Sequence, residues 1–268
     1  MNIVILANKD IASNFALNLL LPRLTKHKIS VFLSSKVGNN TKKPAQLKSL
    51  AFFEQSLLNE LLSPLLEATP TKKALCLTFK QLASLLSRPI EELNHINSPD
   101  GFEKINACEP DLILSIRYGV ILKAPILSLA KFGVLNLHSG SLPQYRGVMA
   151  TFWAMLNDEE TIGTTLHYID DNTIDTGRVL AQSTLSINKQ HCYLWHVLQL
   201  YKGGCELLEL AVNQITQGIV PVSYYQESDG DYYTFPTEND LTSFNKKGYS
   251  LINEDELLAF YQTHYCPK

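Results

Sequence analysis

The chain opens Met1-Asn2-Ile3-Val4-Ile5-Leu6-Ala7, turns through Asn8-Lys9-Asp10, and continues with Ile11–Leu20 before a second apolar run, Ile29-Ser30-Val31-Phe32-Leu33. The first run lacks the alternation of a half-buried strand and reads as a parallel strand covered on both faces. Asp10 or Ser13 can cap a helix whose apolar Phe15, Leu19 and Leu20 recur at helical spacing. Strand, helix and strand in immediate succession form a βαβ unit. This unit points to an α/β fold: a mostly parallel, twisted, Rossmann-like sheet with helices on both faces. The turn after the first strand contains no glycine, so the G-x-G-x-x-G loop of dinucleotide-binding folds is absent.

Downstream, Gly38–Pro44 is polar, and Ala45–Glu67 and Thr78–Leu86 read as helices. The separation between Leu33 and the next strand exceeds a simple crossover, so Gly38–Leu93 reads as a helical insertion. Glu109-Pro110-Asp111 punctuates the chain before an apolar strand at Leu112–Ile116, and further strands are expected at Val134–His138, Gly163–Ile169 and Val179–Ile187. Trp195–Ile215 carries apolar side chains at 198, 201, 205, 208, 212 and 215, the spacing of an amphipathic helix. After Pro221 the composition shifts. Seven of the twelve tyrosines lie between Tyr224 and Tyr265, together with Phe235, Phe244 and a closing helix at Glu254–Tyr265. The expectation is a main domain over residues 1–220 and a small C-terminal appendage, the tyrosine-rich extension 221–268, too short for a large domain of its own.

With 268 residues, 45% of them hydrophobic and 18% charged, the chain can bury a core without disulfides or a metal staple. A net charge of −3 and the lack of a basic block argue against the electrostatic footprint of a nucleic-acid binder. Five scattered cysteines (Cys76, Cys108, Cys192, Cys205, Cys266) form no C-x-x-C pair and fit free thiols in a reducing compartment. The seven histidines show no metal-ligand spacing; His191 and His196 head the long helix and read as cap and packing residues. The N-terminus has no basic n-region followed by a long apolar stretch, and no segment approaches the ~18 apolar residues of a membrane span. The expected location is the cytoplasm, with no metal, membrane or nucleic acid as partner.

Val134-Leu135-Asn136-Leu137-His138 alternates, so in a strand Asn136 and His138 share one face and Leu135 and Leu137 the other. The strand breaks into the turn-rich loop Ser139-Gly140-Ser141-Leu142-Pro143-Gln144-Tyr145-Arg146-Gly147. An amide beside an imidazole at the carboxyl end of a parallel strand lies where open α/β sheets hold ligands. Further on, a strand empties into an acidic loop, His167-Tyr168-Ile169-Asp170-Asp171-Asn172-Thr173-Ile174-Asp175-Thr176-Gly177. Spacing alone does not choose among its three carboxylates, Asp170, Asp171 and Asp175.

Asn136-Leu137-His138, then Ser141-Leu142-Pro143-Gln144-Tyr145-Arg146-Gly147, then Ile174-Asp175-Thr176-Gly177 together resemble the N10-formyltetrahydrofolate-dependent formyltransferase family. That family includes the methionyl-tRNA, glycinamide ribonucleotide and sugar N-formyltransferases. The resemblance extends from about Pro110 to Ile187 and includes Tyr118-Gly119-Val120-Ile121-Leu122; it is loose before and weak after. One departure is the sequence Ser139-Gly140-Ser141-Leu142-Pro143, where many members carry Ser-Leu-Leu-Pro.

The resemblance implies an enzyme that passes a formyl group from N10-formyltetrahydrofolate, its co-substrate, to a primary amine. Asn136 would donate an N–H to the negative charge developing on the carbonyl oxygen. His138 would relay the amine proton or donate to that same oxygen, and Asp175 would orient the imidazole and stabilise positive charge on it. The folate would lie against Tyr118, Gly119, Val120, Ile121 and Leu122 and against Ile169, Asp170, Asp171 and Ile174, read largely by backbone groups. The absence of a glycine-rich phosphate cradle around Lys9 disfavours glycinamide ribonucleotide, and the acidic balance disfavours tRNA. A small-molecule amine acceptor is expected, first an amino sugar linked to a nucleotide. Its base could stack on Tyr224, Tyr225, Tyr232, Tyr233 or Phe235, although such a cluster also suits sheet packing or a homodimer contact. A free amine or hydroxylamine acceptor, a formyltetrahydrofolate hydrolase and a non-catalytic folate-binding module remain as alternatives.

Overall fold

The computed structural model describes residues 1–35, 43–69, 73–227 and 230–266. Most of the polar stretch Gly38–Pro44 therefore lies outside the described residues. Among the described residues nine strands follow one another: β1 (Asn2–Asn8), β2 (Lys28–Ser34), β3 (Glu91–Glu92), β4 (Leu112–Ile116), β5 (Val134–His138), β6 (Tyr145–Gly147), β7 (Thr161–Tyr168), β8 (Val179–Ser186) and β9 (Asp231–Tyr233). Seven of them form one sheet in the order β3-β2-β1-β4-β5-β7-β8. It is parallel from β3 to β5, after which β7 runs antiparallel to β5 and β8 antiparallel to β7. The short strands β6 and β9 pair separately, in parallel.

The apolar run of β1 is divided by the pleat. Ile3, Ile5 and Ala7 enter the larger core cluster, Val4 and Leu6 the smaller one on the opposite face. Leu112, Leu114 and Ile116 of β4 likewise face the larger cluster and Ile113 the smaller. A Leu or Ile side chain buried in this way contributes about 1.5–3 kcal/mol, so covering both faces is what fixes the central strands. The larger cluster is closed by helix Ile11–Leu20, capped by Asp10, whose Oδ1 accepts from Ser13 N at 2.7 Å. Helix Tyr193–Thr216 covers the same face with Leu194, Val197, Leu198, Tyr201, Cys205, Leu208 and Val212. Pro99–Asn106 and Ala124–Leu127 contribute Ile105 and Ile126 to the smaller cluster.

Ala45–Glu67, which reads as one helix in the sequence, is wound in three ways: α-helical over Ala45–Ala51, wider π-helical over Phe52–Leu62, and α-helical again over Ser63–Ala68, where Pro64 occupies the first turn. The C-terminal helices Glu238–Lys246 and Glu254–His264 are seated in the main core: Leu241, Phe244, Leu257, Phe260, Tyr261 and Tyr265 all belong to the larger cluster. Among the described residues no helix is long and apolar enough to cross a membrane, and no group of three or more His, Cys, Asp or Glu is placed to hold a metal ion.

The strand order reverses between β1 and β4: β2 lies on one side of β1, and β4 with β5 on the other. Ligands of open α/β sheets bind at the carboxyl ends of the strands flanking such a point. Asp10, Arg117 and Ser139 follow β1, β4 and β5 closely, which sets these polar residues along this edge.

Candidate active site

In β5 the alternation places Leu135 and Leu137 in the larger core cluster. Asn136 and His138 face the other way. Asn136 is the single half-buried position of the strand. The antiparallel register of β5 and β7 sets Asn136 directly opposite His167. Side chains opposite each other on one face of such a pair lie close enough to touch. Asn136 Nδ2 lies 3.0 Å from His167 Nε2, and His167 Nδ1 lies 2.8 Å from the Tyr168 carbonyl. The carbonyl can only accept, so Nδ1 carries the proton and Nε2 accepts from the amide. His167 is absent from the sequence-derived trio, and only the pairing of two strands distant in sequence reveals it.

Asp175 closes the group from the acidic loop. Its Oδ1 lies 3.5 Å from Asn136 Nδ2 and 3.5 Å from His167 Nε2, and its Oδ2 lies 3.5 Å from His138 Nδ1. The firmest bond to the carboxylate comes from the backbone N–H of Gly147, 2.9 Å from Oδ2. Burial alone would push the Asp175 carboxyl up. The charge of His138 and the Gly147 N–H, together with the His167 ring when it is protonated, outweigh burial and hold it down at about 2. Asp175 is therefore an anion throughout the physiological range. Its backbone is left-handed, with φ +56°, a conformation aspartate adopts more readily than most residues other than glycine.

His138 is 8% exposed. Its Nε2 lies 2.7 Å from the Tyr145 carbonyl while Nδ1 faces Asp175, so both ring nitrogens meet acceptors. A proton on each nitrogen satisfies both neighbours. The loop after β5 is braced to make this possible: Thr165 Oγ1 donates to the Gly140 carbonyl at 2.7 Å and accepts from Leu142 N at 3.1 Å. At Gly140, the departure from the family pattern, a Cβ would overlap both His138 Nε2 and the Tyr145 carbonyl, so the tight ring-to-carbonyl contact requires glycine. Gly147 is needed for a second reason. Its φ is +94°, and a Cβ there would run into the Tyr233 carbonyl of β9.

The two remaining acidic residues stand apart. Asp170 forms an ion pair with Arg178 at 2.8 Å; burial raises its pKa, the Arg178 bonds lower it, and the net direction is down. Asp171 accepts from Thr173 N at 2.7 Å in an exposed turn. Ile174 is half-buried one residue before Asp175. Of the other segment, Tyr118 and Val120 pack with Ile169 against the smaller core cluster, which also contains Leu122. The two loops thus share an apolar wall on one side of the sheet. Tyr118 bonds through its hydroxyl to the Leu93 carbonyl, Gly119 N donates to Ser34 Oγ at 2.9 Å, and Ile121 is exposed with its carbonyl accepting from Asn97 Nδ2 at 2.8 Å.

A second charged group lies along the same edge. Arg117 Nε donates to Asp10 Oδ2 at 2.8 Å and its Nη2 to Glu54 Oε1 at 3.1 Å. Burial pushes the Glu54 carboxyl up against the opposing pull of Arg117. Burial also disfavours the Arg117 charge, but Asp10 overrides it and the guanidinium stays protonated. The Asn8-Lys9-Asp10 turn is thereby committed to an ion pair. His191 and His196 are packing residues: His191 stacks on Trp195 with ring centroids 3.8 Å apart, and His196 Nδ1 lies 2.8 Å from the Cys192 carbonyl.

Residues 79–192, which hold Asn136, His138, His167 and Asp175, match the family model described as "Formyl transferase". This segment belongs to the formyl transferase family. A curated relative, the methionyl-tRNA formyltransferase of Thermodesulfovibrio yellowstonii, is 30% identical over 141 residues, 53% of this chain. The match spans 46% of that relative's length. Two solved structures share the fold. A sugar N-formyltransferase from Shewanella sp. FDAARGOS_354 superimposes with a TM-score of 0.55 at 15% identity, covering 90% of this chain and 85% of that one. The N-formyltransferase from Helicobacter canadensis, in complex with folinic acid and dTDP-3-aminofucose, gives a TM-score of 0.55 at 19% identity, covering 86% and 70%.

Proposed function

We propose that this protein transfers a formyl group from N10-formyltetrahydrofolate to the primary amine of a small molecule, an amino sugar linked to a nucleotide. One observation carries the reading: an amide and an imidazole from β5 each lie 3.5 Å from one buried carboxylate in the loop after β7. When bound, the folate supplies the formyl carbon that the amine attacks. The chain's own residues then have separable tasks. Asn136 holds one N–H firmly on His167 and has its second only weakly engaged, at 3.5 Å from Asp175, so that hydrogen is available to the formyl oxygen as it gains negative charge. His138, flanked by two acceptors, holds positive charge beside that oxygen; it gives a proton to the departing nitrogen as the bond to the formyl carbon breaks and recovers one from the attacking amine. Asp175 stays ionised and fixes the ring.

The residues present fit a pterin. Tyr118, Val120, Leu122 and Ile169 give a flat ring an apolar wall on the face that carries Asn136 and His138. The acceptor class draws support from the Helicobacter canadensis protein, whose complex holds folinic acid together with a nucleotide-linked amino sugar. Tyr224, Tyr225 and Tyr232 offer exposed rings to a base, whereas Tyr233 is stacked on Trp153 and Tyr145 at 4.9 and 5.5 Å between centroids. The test is an acceptor panel, nucleotide-linked amino sugars first, with tetrahydrofolate formation from the 10-formyl compound as readout. Turnover that depends on an amino sugar is expected. Formate release without any amine would identify a hydrolase, and binding without turnover would overturn the catalytic reading.

A further inference from the structure

Gln226 lies in the C-terminal extension, far along the chain from the groups just described. Its Nε2 donates one hydrogen to the Asp175 carbonyl and the other to the Gly177 carbonyl, both at 2.9 Å. Both neighbours are acceptors, so only a two-hydrogen donor fits between them. Its Oε1 is buried and has no partner among the described residues, so the side chain is oriented by what it gives to the loop. Backbone anchors hold the segment on either side. Tyr224 exchanges two bonds of 2.9 Å with Val179, the first residue of β8. Beyond Gln226, β9 pairs with β6, and the Tyr233 carbonyl accepts from Val148 N at 2.9 Å.

These contacts converge on one residue. β9 secures β6, whose last residue, Gly147, gives its N–H to the Asp175 carboxylate, while Gln226 grips the left-handed backbone of Asp175 itself. We propose that Gln226 is a positioning residue for Asp175: the extension completes the active site by clamping the carboxylate's backbone while β9 steadies the N–H that holds its side chain. The rate consequence rests on the formyl-transfer reading; the geometric consequence does not.

The experiment compares the full-length parent with Gln226→Leu, which removes both donors, and Gln226→Asn, which keeps the amide but shortens its reach. Glu227→Gln, at an exposed neighbour, serves as control. Two quantities are read: the titration of the Asp175 carboxyl by carbon NMR, and kcat and KM for formyl transfer. Thermal unfolding certifies each variant as folded. In Gln226→Leu the Asp175 titration should rise by about one unit or more as the carboxylate slips from its donors. kcat should fall about 10- to 100-fold with KM nearly constant, the size of effect expected from a misplacement of about 1 Å. Gln226→Asn should lie between, and supplies the same readouts if the leucine variant does not fold. An Asp175 titration unchanged in folded variants overturns the proposal, as does a rise in KM with kcat intact, which would put Gln226 on the acceptor. A parent protein inactive on amines and water, but whose Asp175 titration still moves with Gln226, would uphold the clamp and refute formyl transfer.

Discussion

Two buried charge clusters lie on the same edge of the sheet and solve the same electrostatic problem differently. In one, Asp175 is balanced by two imidazoles, an amide and a backbone N–H, with its closest charged contacts at 3.5 Å. In the other, Asp10 and Glu54 are balanced by the permanent charge of Arg117 at 2.8 and 3.1 Å. A guanidinium does not give up its proton in a protein, so the cation of the second cluster is permanent even though burial raises the Glu54 carboxyl. The first is built from groups that can exchange protons, held slightly too far apart to neutralise one another fully. The comparison teaches that burial of charge alone does not mark an active site. What sets the candidate site apart is burial of charge among the imidazoles of His138 and His167.

The Arg117 cluster should show the larger stability effect. Arg117→Leu would leave two carboxylates buried without a counter-ion, and the expected loss is about 3–5 kcal/mol, checked by denaturant unfolding. Retention of full stability would mean that the two clusters are equally adaptable. Asn136→Ala should slow formyl transfer by about 10²–10³-fold with little change in unfolding midpoint, the reverse of the Arg117 result. Asp175→Asn tests the sign of the linkage. The folded carboxyl at about 2 lies below the ordinary aspartate value of 3.8, so its contribution is fully present above the unfolded value and is lost as pH falls through about 2. The variant should therefore be about 2 kcal/mol less stable at neutral pH, and the gap should close below about pH 4. A gap that does not vary with pH would show that charge is not the source of the stabilisation. The smallest effect belongs to the Asp170–Arg178 pair, whose side chains are 36% and 35% exposed. Asp170→Asn should cost no more than about 1 kcal/mol, measured by the same unfolding transition.

The parts of this arrangement that depend on local pattern are legible in the residues themselves. β4 and β5 fall at Leu112–Ile116 and Val134–His138, as their apolar content and alternation indicate, and β1 carries a run that only a doubly covered strand explains. Asp10 is the cap of the first helix, and the alternation of β5 suffices to put Asn136 and His138 on one face. What depends on register between distant segments was not legible. His167 reaches Asn136 through an antiparallel pairing, and nothing in the sequence around His167 specifies that register. The signal that comes nearest is its position at the end of a strand that empties into the acidic loop. The same holds for Arg117, whose partners Asp10 and Glu54 lie 107 and 63 residues away, and for the wider winding of Phe52–Leu62, whose composition is that of an ordinary helix. The tyrosines of the extension advertise packing, but the residue that touches the Asp175 loop is a glutamine without any motif around it.

Gly147 has a consequence for the birth of the protein. Its N–H faces Asp175, and its missing side chain leaves room for the Tyr233 carbonyl, so one residue joins the candidate site to a strand made much later. On the ribosome, Asn136, His138 and Asp175 all emerge before the segment that secures them. In the nascent polypeptide the candidate site thus stays incomplete until residues 226–233 have been made and have paired with it.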